Sequence, residues 1–148
     1  STFVRLTEDF DNIIGIKDAS GDMFQAQEII KRCSNDIQLI SGDDSLTLPM
    51  LLAGAVGSIS VLGNALPIPI KQIFHLVDKG DLNSAYKLHY ELLDLINLLF
   101  VEGNPVGIKA LMEHLGLCSK QVRLPLVSAT AHLIERIERV LEDSLFAI

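Results

Sequence analysis

Three short, mostly apolar runs constrain this chain more than anything else in it. They are Ile13-Ile14-Gly15-Ile16, Ile37 to Ser41, and Ala55 to Val61, separated by stretches of helical periodicity. A strand without a polar face has to be covered on both sides, which is the usual condition of strands in parallel sheets. Strands that alternate with helices pair in parallel through right-handed crossovers. The three runs end at Lys17, at Gly42-Asp43-Asp44 and at Gly63-Asn64, so parallel pairing brings all three polar ends to one rim. In α/β folds chemistry is placed at that carboxyl rim. The fold class expected is therefore α/β.

The remaining segments read as helices. Phe3, Leu6 and Phe10 give residues 1–11 one apolar face, with Ser1 or Thr2 as cap. Met23 to Cys33 turns Met23, Ala26, Ile29 and Ile30 inward and ends on Lys31-Arg32, where the helix dipole favours cations. Leu46 to Ala53 follows, capped by Asp44 or Ser45, with Pro49 tolerable only near its first turn. Pro67 to Val77 is the next helix. From Asp81 onward no strand signal remains. Asp81 caps a long helix to about Phe100, with Leu82, Ala85, Leu88, Leu92, Leu95, Ile96 and Leu99 on its buried side. Asn104-Pro105 reads as a cap followed by proline at the first helical position, and Gly116 stops that helix. Arg123 to Leu126 is extended, and Ser128 opens a last helix striped by Leu133, Ile134, Ile137, Val140 and Leu141. The chain divides at Lys79-Gly80-Asp81, with a helix and three βα units in 1–78 and a helical region in 79–148.

Composition narrows the function classes. Of 148 residues, 49% are hydrophobic and 21% charged, a globular balance, and the absence of tryptophan leaves an aliphatic core. A net charge of −7 without a basic patch argues against nucleic acid and against an anionic membrane surface as partners. No apolar stretch approaches the roughly 18 residues of a membrane-spanning helix. The N-terminus lacks a basic segment followed by an apolar run, and Cys33 and Cys118 form no CxxC pair. No secretory leader is expected, the cysteines read as free thiols, and the cytoplasm is the default location. Asp43-Asp44 has no further carboxylate or histidine near it in sequence, so no metal site is expected.

Lys17 has two readings, the working amine of an enzyme or a solvated lysine at a strand end. The small residues of 54–63 allow a phosphate cradle or, more simply, close packing of another backbone. Asn64 lines the rim or makes a turn after Gly63. His75, His89, His114 and His132 all fall on helices and read as surface or interface residues.

The run Ile13-Ile14-Gly15-Ile16-Lys17-Asp18-Ala19-Ser20-Gly21 resembles the Schiff-base lysine signature of the dihydrodipicolinate synthase and N-acetylneuraminate lyase superfamily, the pyruvate-dependent class I aldolases. Leu39-Ile40-Ser41-Gly42-Asp43-Asp44 resembles that superfamily's seventh strand and loop, and Gly54 to Asn64 its eighth. Phe100 to Lys109 resembles a segment of its C-terminal helical part. The Asn104-Pro105 and Lys109 pattern, with Arg123-Leu124-Pro125 after it, is more similar to the dihydrodipicolinate synthase branch than to the sialic-acid and sugar-acid aldolases.

The resemblance implies the C-terminal part of a (β/α)8 TIM barrel: the helix after strand five, then strands six to eight, then the helical appendage. It implies a lyase of lysine biosynthesis that condenses pyruvate with aspartate semialdehyde. Lys17 would carry the imine, with no other cofactor and no metal. Gly42 and Ile59 match positions where the family places backbone near the lysine and pyruvate. Asp43 either orients the second substrate or is simply a turn aspartate. The other half of the barrel would hold the paired threonines for the pyruvate carboxylate, the tyrosines of the proton relay and an arginine for the second substrate. Tyr86 and Tyr90 do not replace those tyrosines. Two alternatives stay open, namely another pyruvate aldolase of the superfamily, or a non-catalytic chain that folds only by association. The expected partners are small-molecule substrates, further copies of the chain, or the missing barrel half.

Overall fold

The computed structural model describes residues 2–33 and 36–144; the possible cap Ser1 lies outside them. Its elements are α1 (Thr2–Asp9), β1 (Gly15–Asp18), α2 (Met23–Arg32), β2 (Gln38–Ser41), a 3-10 turn (Asp44–Leu46) that runs into α3 (Thr47–Ala53), and β3 (Gly57–Ser58). A second 3-10 turn (Leu62–Asn64) leads to α4 (Pro67–Asp78), α5 (Leu82–Phe100), α6 (Val106–His114) and α7 (Ala131–Glu142). The strands form one sheet in the order β1-β2-β3, parallel throughout, as their alternation with helices requires. Ile16 lies opposite Leu39, Lys17 opposite Ile40, and Ile40 opposite Gly57.

Strand boundaries differ from the hydrophobic runs for identifiable reasons. Ile13 is bonded through its N–H to the Phe10 carbonyl, so it belongs to the turn that closes α1. The ladder therefore starts at Gly15, and Lys17 sits inside β1 rather than beyond it. The third run pairs only briefly. Val56 N–H reaches Leu39 and Ile59 N–H reaches Ser41, after which Val61 and Leu62 turn their N–H groups to the Asp44 carboxylate. Full coverage of the apolar runs also fails within this chain, since Ile14 is 67% exposed and Ile59 52%. The apolar face of α1 is likewise open at Leu6 and Phe10.

Two apolar clusters hold these elements. The smaller lies between the sheet and α2–α3, with Ala26, Ile29, Leu39, Met50 and Ala55 at its centre and Ile16 against it. The larger joins Leu48 and Leu62 to α4–α7, so it draws on residues from both sides of position 79. Asp81 caps α5 as expected, accepting from Ser84 N–H at 3.2 Å. The α5 stripe is buried except at Leu82, in the first turn, while His89 is buried where sequence suggested a surface or interface histidine.

Two helix starts and one connecting segment in the helical region differ from the sequence reading. Pro105 stands just outside α6, and its carbonyl takes the N–H of Lys109. Leu124-Pro125 forms a turn closed by Leu126 N–H on the Arg123 carbonyl, so that segment is not simply extended. The last helix is capped by Thr130 rather than Ser128, because Thr130 Oγ1 accepts from Leu133 N–H while the Glu102 carboxylate takes Thr130's own N–H and hydroxyl. Those two bonds hold the Glu102 carboxyl below its ordinary value. No helix among the described residues is long and apolar enough to cross a membrane.

The α5–α6 contact is close enough to exclude a side chain. A Cβ at Gly107 would lie 2.5 Å from the Leu99 carbonyl oxygen and 2.6 Å from its Cα. Backbone rather than a side chain would have to move, so Gly107→Ala should lower the unfolding free energy by about 3 kcal/mol in urea denaturation. Gly57→Ala, with nothing within 4 Å, should not.

Candidate active site

Lys17 lies near the carboxyl end of β1 with an exposed side chain, and none of the ion pairs among the described residues involves it. Its neighbour Asp18 points the opposite way by strand alternation, is buried, and accepts from Ser20 N–H at 2.9 Å and from Gln25 Nε2 at 3.2 Å. The lysine is thus held by a strand whose next residue is locked to α2.

Gly42 meets it from β2. A Cβ there would sit 2.7 Å from Lys17 Cε, 2.9 Å from Lys17 Cγ and 2.8 Å from the Ala19 methyl. The position is glycine because the lysine side chain occupies the space a methyl group would need. Gly42 N–H also donates to the Asp18 carbonyl at 2.7 Å, which keeps the two strand exits in contact. Gly42 therefore adjoins Lys17.

Ile59 shares the Lys17 face of the sheet, two residues beyond Gly57 on β3. Asp43 is half-buried, and its Oδ1 accepts from Ser45 N–H at 2.9 Å and Ser45 Oγ at 2.7 Å. Its carbonyl takes Ser41 Oγ at 2.9 Å and Thr47 Oγ1 at 3.1 Å. Asp43, not Asp44 or Ser45, is the cap of this turn. Asp44 instead reaches across to the β3 exit, where its Oδ2 accepts Val61 N–H at 2.9 Å and Leu62 N–H at 2.8 Å.

His89 is buried on α5, the helix that packs against the Asp44–Leu46 turn. A buried polar position on a stripe otherwise apolar was the available sequence signal, because the spacing of Ala85, Leu88 and Leu92 puts residue 89 on the inner side. Asn64 makes the turn after Gly63, its Nδ2 donating to the Ser60 and Val61 carbonyls. Of the small residues of 57–63, Gly57 and Ser58 pack against the β2 backbone by strand pairing. Gly57, Ser58, Ser60 and Gly63 also line an open groove of about 490 Å³ with Pro67, Ile70 and Phe74. Among the described residues no cluster of three His, Cys, Asp or Glu side chains could hold a metal.

The sequence profile of the Dihydrodipicolinate synthetase family matches residues 1–144. The chain belongs to this family. It is 45% identical over 137 residues to the 4-hydroxy-tetrahydrodipicolinate synthase of Flavobacterium psychrophilum, covering 93% of this chain and 47% of that protein. The enzyme of the same name from Phocaeicola vulgatus is 42% identical over 142 residues, 96% of this chain and 48% of the relative. The fold superposes on the dihydrodipicolinate synthase of Aquifex aeolicus with a TM-score of 0.91 at 37% identity, covering 96% of this chain and 48% of that one. For the Thermotoga maritima dihydrodipicolinate synthase the TM-score is 0.92 at 32% identity, covering 96% and 49%. The chain therefore spans about half the length of the relatives it matches.

Two outcomes follow from the geometry. Asp44→Ala leaves two backbone N–H groups without their acceptor, one of them on fully buried Leu62, and should cost about 3 kcal/mol in urea denaturation. Burial lowers the His89 pKa from 6.5, against a smaller upward pull from the Ser45 backbone. The unfolded chain then takes this proton at higher pH than the folded chain. The stabilisation is complete above the unfolded value of 6.5 and is lost as pH falls through the lower folded value. Unfolding curves at descending pH should show this loss in the wild type and not in His89→Gln.

Proposed function

We propose that this chain is the C-terminal half of a Schiff-base-forming, pyruvate-dependent lyase, with Lys17 as the imine residue. Residues 1–78 would be the last helix-and-strand units of a TIM barrel, supplying strands six to eight, and 79–148 the helical appendage. The observation that carries the reading is the contact between Lys17 and Gly42. The lysine lies on a strand-end face left open by β2, over a residue with no side chain. Membership of the family and the names of the relatives support it.

In the proposed reaction the neutral Lys17 amine attacks the C2 carbonyl of pyruvate and water leaves, giving the imine. Loss of a C3 proton gives an enamine, whose C3 forms a carbon–carbon bond to the aldehyde of aspartate semialdehyde. The amino group carried in by aspartate semialdehyde then attacks the imine carbon and closes the ring, the bond from that carbon to the lysine nitrogen breaks, and Lys17 leaves with the proton as the free amine. This chain contributes the nucleophile, the space beside it at Gly42, and Ile59 on the same face. Asp43 would orient the second substrate through the oxygen that Ser45 leaves free. The groups that hold the pyruvate carboxylate and relay protons would come from the rest of the barrel. The choice of aspartate semialdehyde over the aldehydes of related aldolases rests on the relatives' names and on the Asn104-Pro105, Lys109 and Arg123 pattern.

A requirement for association is favoured by one specific observation. Three strands cannot close a barrel, and β1 and β3 each have one edge that no other strand pairs with among the described residues. The occupant proposed for those edges is the remaining half of the barrel.

The test is to incubate with pyruvate, reduce with borohydride, and locate the adduct by mass spectrometry. A label on Lys17, lost in Lys17→Ala and reduced at least about tenfold in Gly42→Ala, is expected from the displacement a methyl group would force. A folded chain unlabelled alone but labelled after addition of the preceding half-barrel would support the split site. A chain unlabelled in both conditions would remove the enzymatic reading. On size exclusion, a monodisperse monomer would count against obligate association.

A further inference from the structure

We propose that Ser41 and Thr47 are positioning residues for the Lys17 site: their two buried hydroxyls hold the Asp43 backbone from behind the sheet, and so fix Gly42 against the lysine. The two residues are closed to solvent, at 0% and 1% exposure. A buried hydroxyl costs stability unless it is hydrogen-bonded, and alanine or valine would fill the same space without that cost. Both hydroxyls are spent on one short stretch of backbone. Ser41 Oγ donates to the Asp43 carbonyl at 2.9 Å and accepts from the Asp43 N–H at 3.4 Å, so the link reaches past Gly42. Thr47 Oγ1 lies 3.1 Å from the same carbonyl and 3.3 Å from Ser41 Oγ. The Leu46 N–H completes the set at 3.1 Å. A threonine in a helix often bonds the carbonyl four residues back. Here that carbonyl lies outside α3, on the exit of β2, and a strand residue shares it.

The stretch so held is the one that meets the lysine. Ser41 pairs with Asp18 on one side and Ser58 on the other, on the face of the sheet away from Lys17. Strand alternation then turns Gly42 to the lysine's own face, where a side chain would run into Lys17 Cγ and Cε. Gly42 is tied at both ends. Its N–H donates to the Asp18 carbonyl at 2.7 Å, and the Asp43 backbone that follows is held by the two hydroxyls. Ser41 and Thr47 therefore act on the lysine through Gly42, whose place sets the room the amine has and the direction it takes. The consequence for catalysis rests on the imine reading of Lys17, whereas the hold on Gly42 does not.

Three variants separate these. Ser41→Ala and Thr47→Val each remove one hydroxyl, the second with almost no change of shape. Thr47→Ser keeps the hydroxyl and removes only a methyl group. The first readout is hydrogen exchange of the Gly42 amide in the chain itself. The second is pyruvate–borohydride labelling of Lys17 against pyruvate concentration, in whichever assembly labels the wild type. Ser41→Ala should speed exchange and lower the limiting labelling rate by about tenfold each, the effect of one lost buried hydrogen bond. Thr47→Val should do the same by about fivefold, because Ser41 and the Leu46 N–H remain on the carbonyl. Half-saturating pyruvate should stay within about twofold in both, since the amine is displaced while no group that binds pyruvate is removed. A merely structural role would lower the folded fraction and leave the limiting rate per folded molecule unchanged. Thr47→Ser should lie within about twofold of wild type in both readouts, its hydroxyl being kept. If Ser41→Ala does not fold, Thr47→Val decides. The proposal is overturned if either readout of Thr47→Val matches wild type, if Thr47→Ser behaves like Thr47→Val, or if half-saturating pyruvate moves in place of the limiting rate. An unlabelled wild type would instead defeat the imine reading, and exchange would still decide the hold on Gly42.

Discussion

The carboxylate of Asp44 is the contact on which the arrangement of the sheet's polar end depends. It is 2% exposed, and its Oδ2 takes two consecutive backbone N–H groups from the exit of β3. An acceptor shared by two donors in a buried setting fixes direction as well as distance, because the two N–H groups have to converge. The turn that holds Asp44 is itself capped by Asp43 and braced by Ser41 and Thr47 hydroxyls. The polar residues at this rim are therefore bonded mainly to one another and to backbone, while Lys17 lies on the open side.

This division explains why two adjacent aspartates have separate tasks. Asp43 turns back on its own segment and Asp44 reaches eighteen residues ahead, to Leu62. Sequence alone gave no means of telling which would do which, since both are acceptable turn and cap residues. The strand order, by contrast, was legible, because apolar runs alternating with helices leave parallel pairing as the natural solution. The place of Lys17 was nearly legible. Hydrophobicity put the strand two residues early, as it cannot register that the Ile13 N–H is already committed to α1.

His89 shows a different limit. Its i, i+3 and i+4 neighbours mark it as inward-facing, yet a titratable residue on a helix is ordinarily read as exposed. Only the packing of α5 against the turn that follows β2 shows that this position is closed to solvent. Gly42 is similar. The glycine was visible, but the claim that lysine occupies its missing side chain's space needed coordinates. The exposure of Ile14 and Ile59 was likewise not visible in apolar runs that sequence alone reads as covered on both sides.

The larger apolar cluster lies among α4–α7, while the strands carrying Lys17 and Gly42 rest on a smaller one. Resistance to unfolding should accordingly be unequal along the chain. Local opening is least costly where fewest apolar contacts are broken, so the sheet can breathe while the helical part stays folded. A thermal melt followed by helical signal would then report chiefly on the segment that carries no candidate chemistry. Lys17 could come and go from its ordered surroundings without that signal changing. For such a molecule, loss of structure and loss of the site are two separate events.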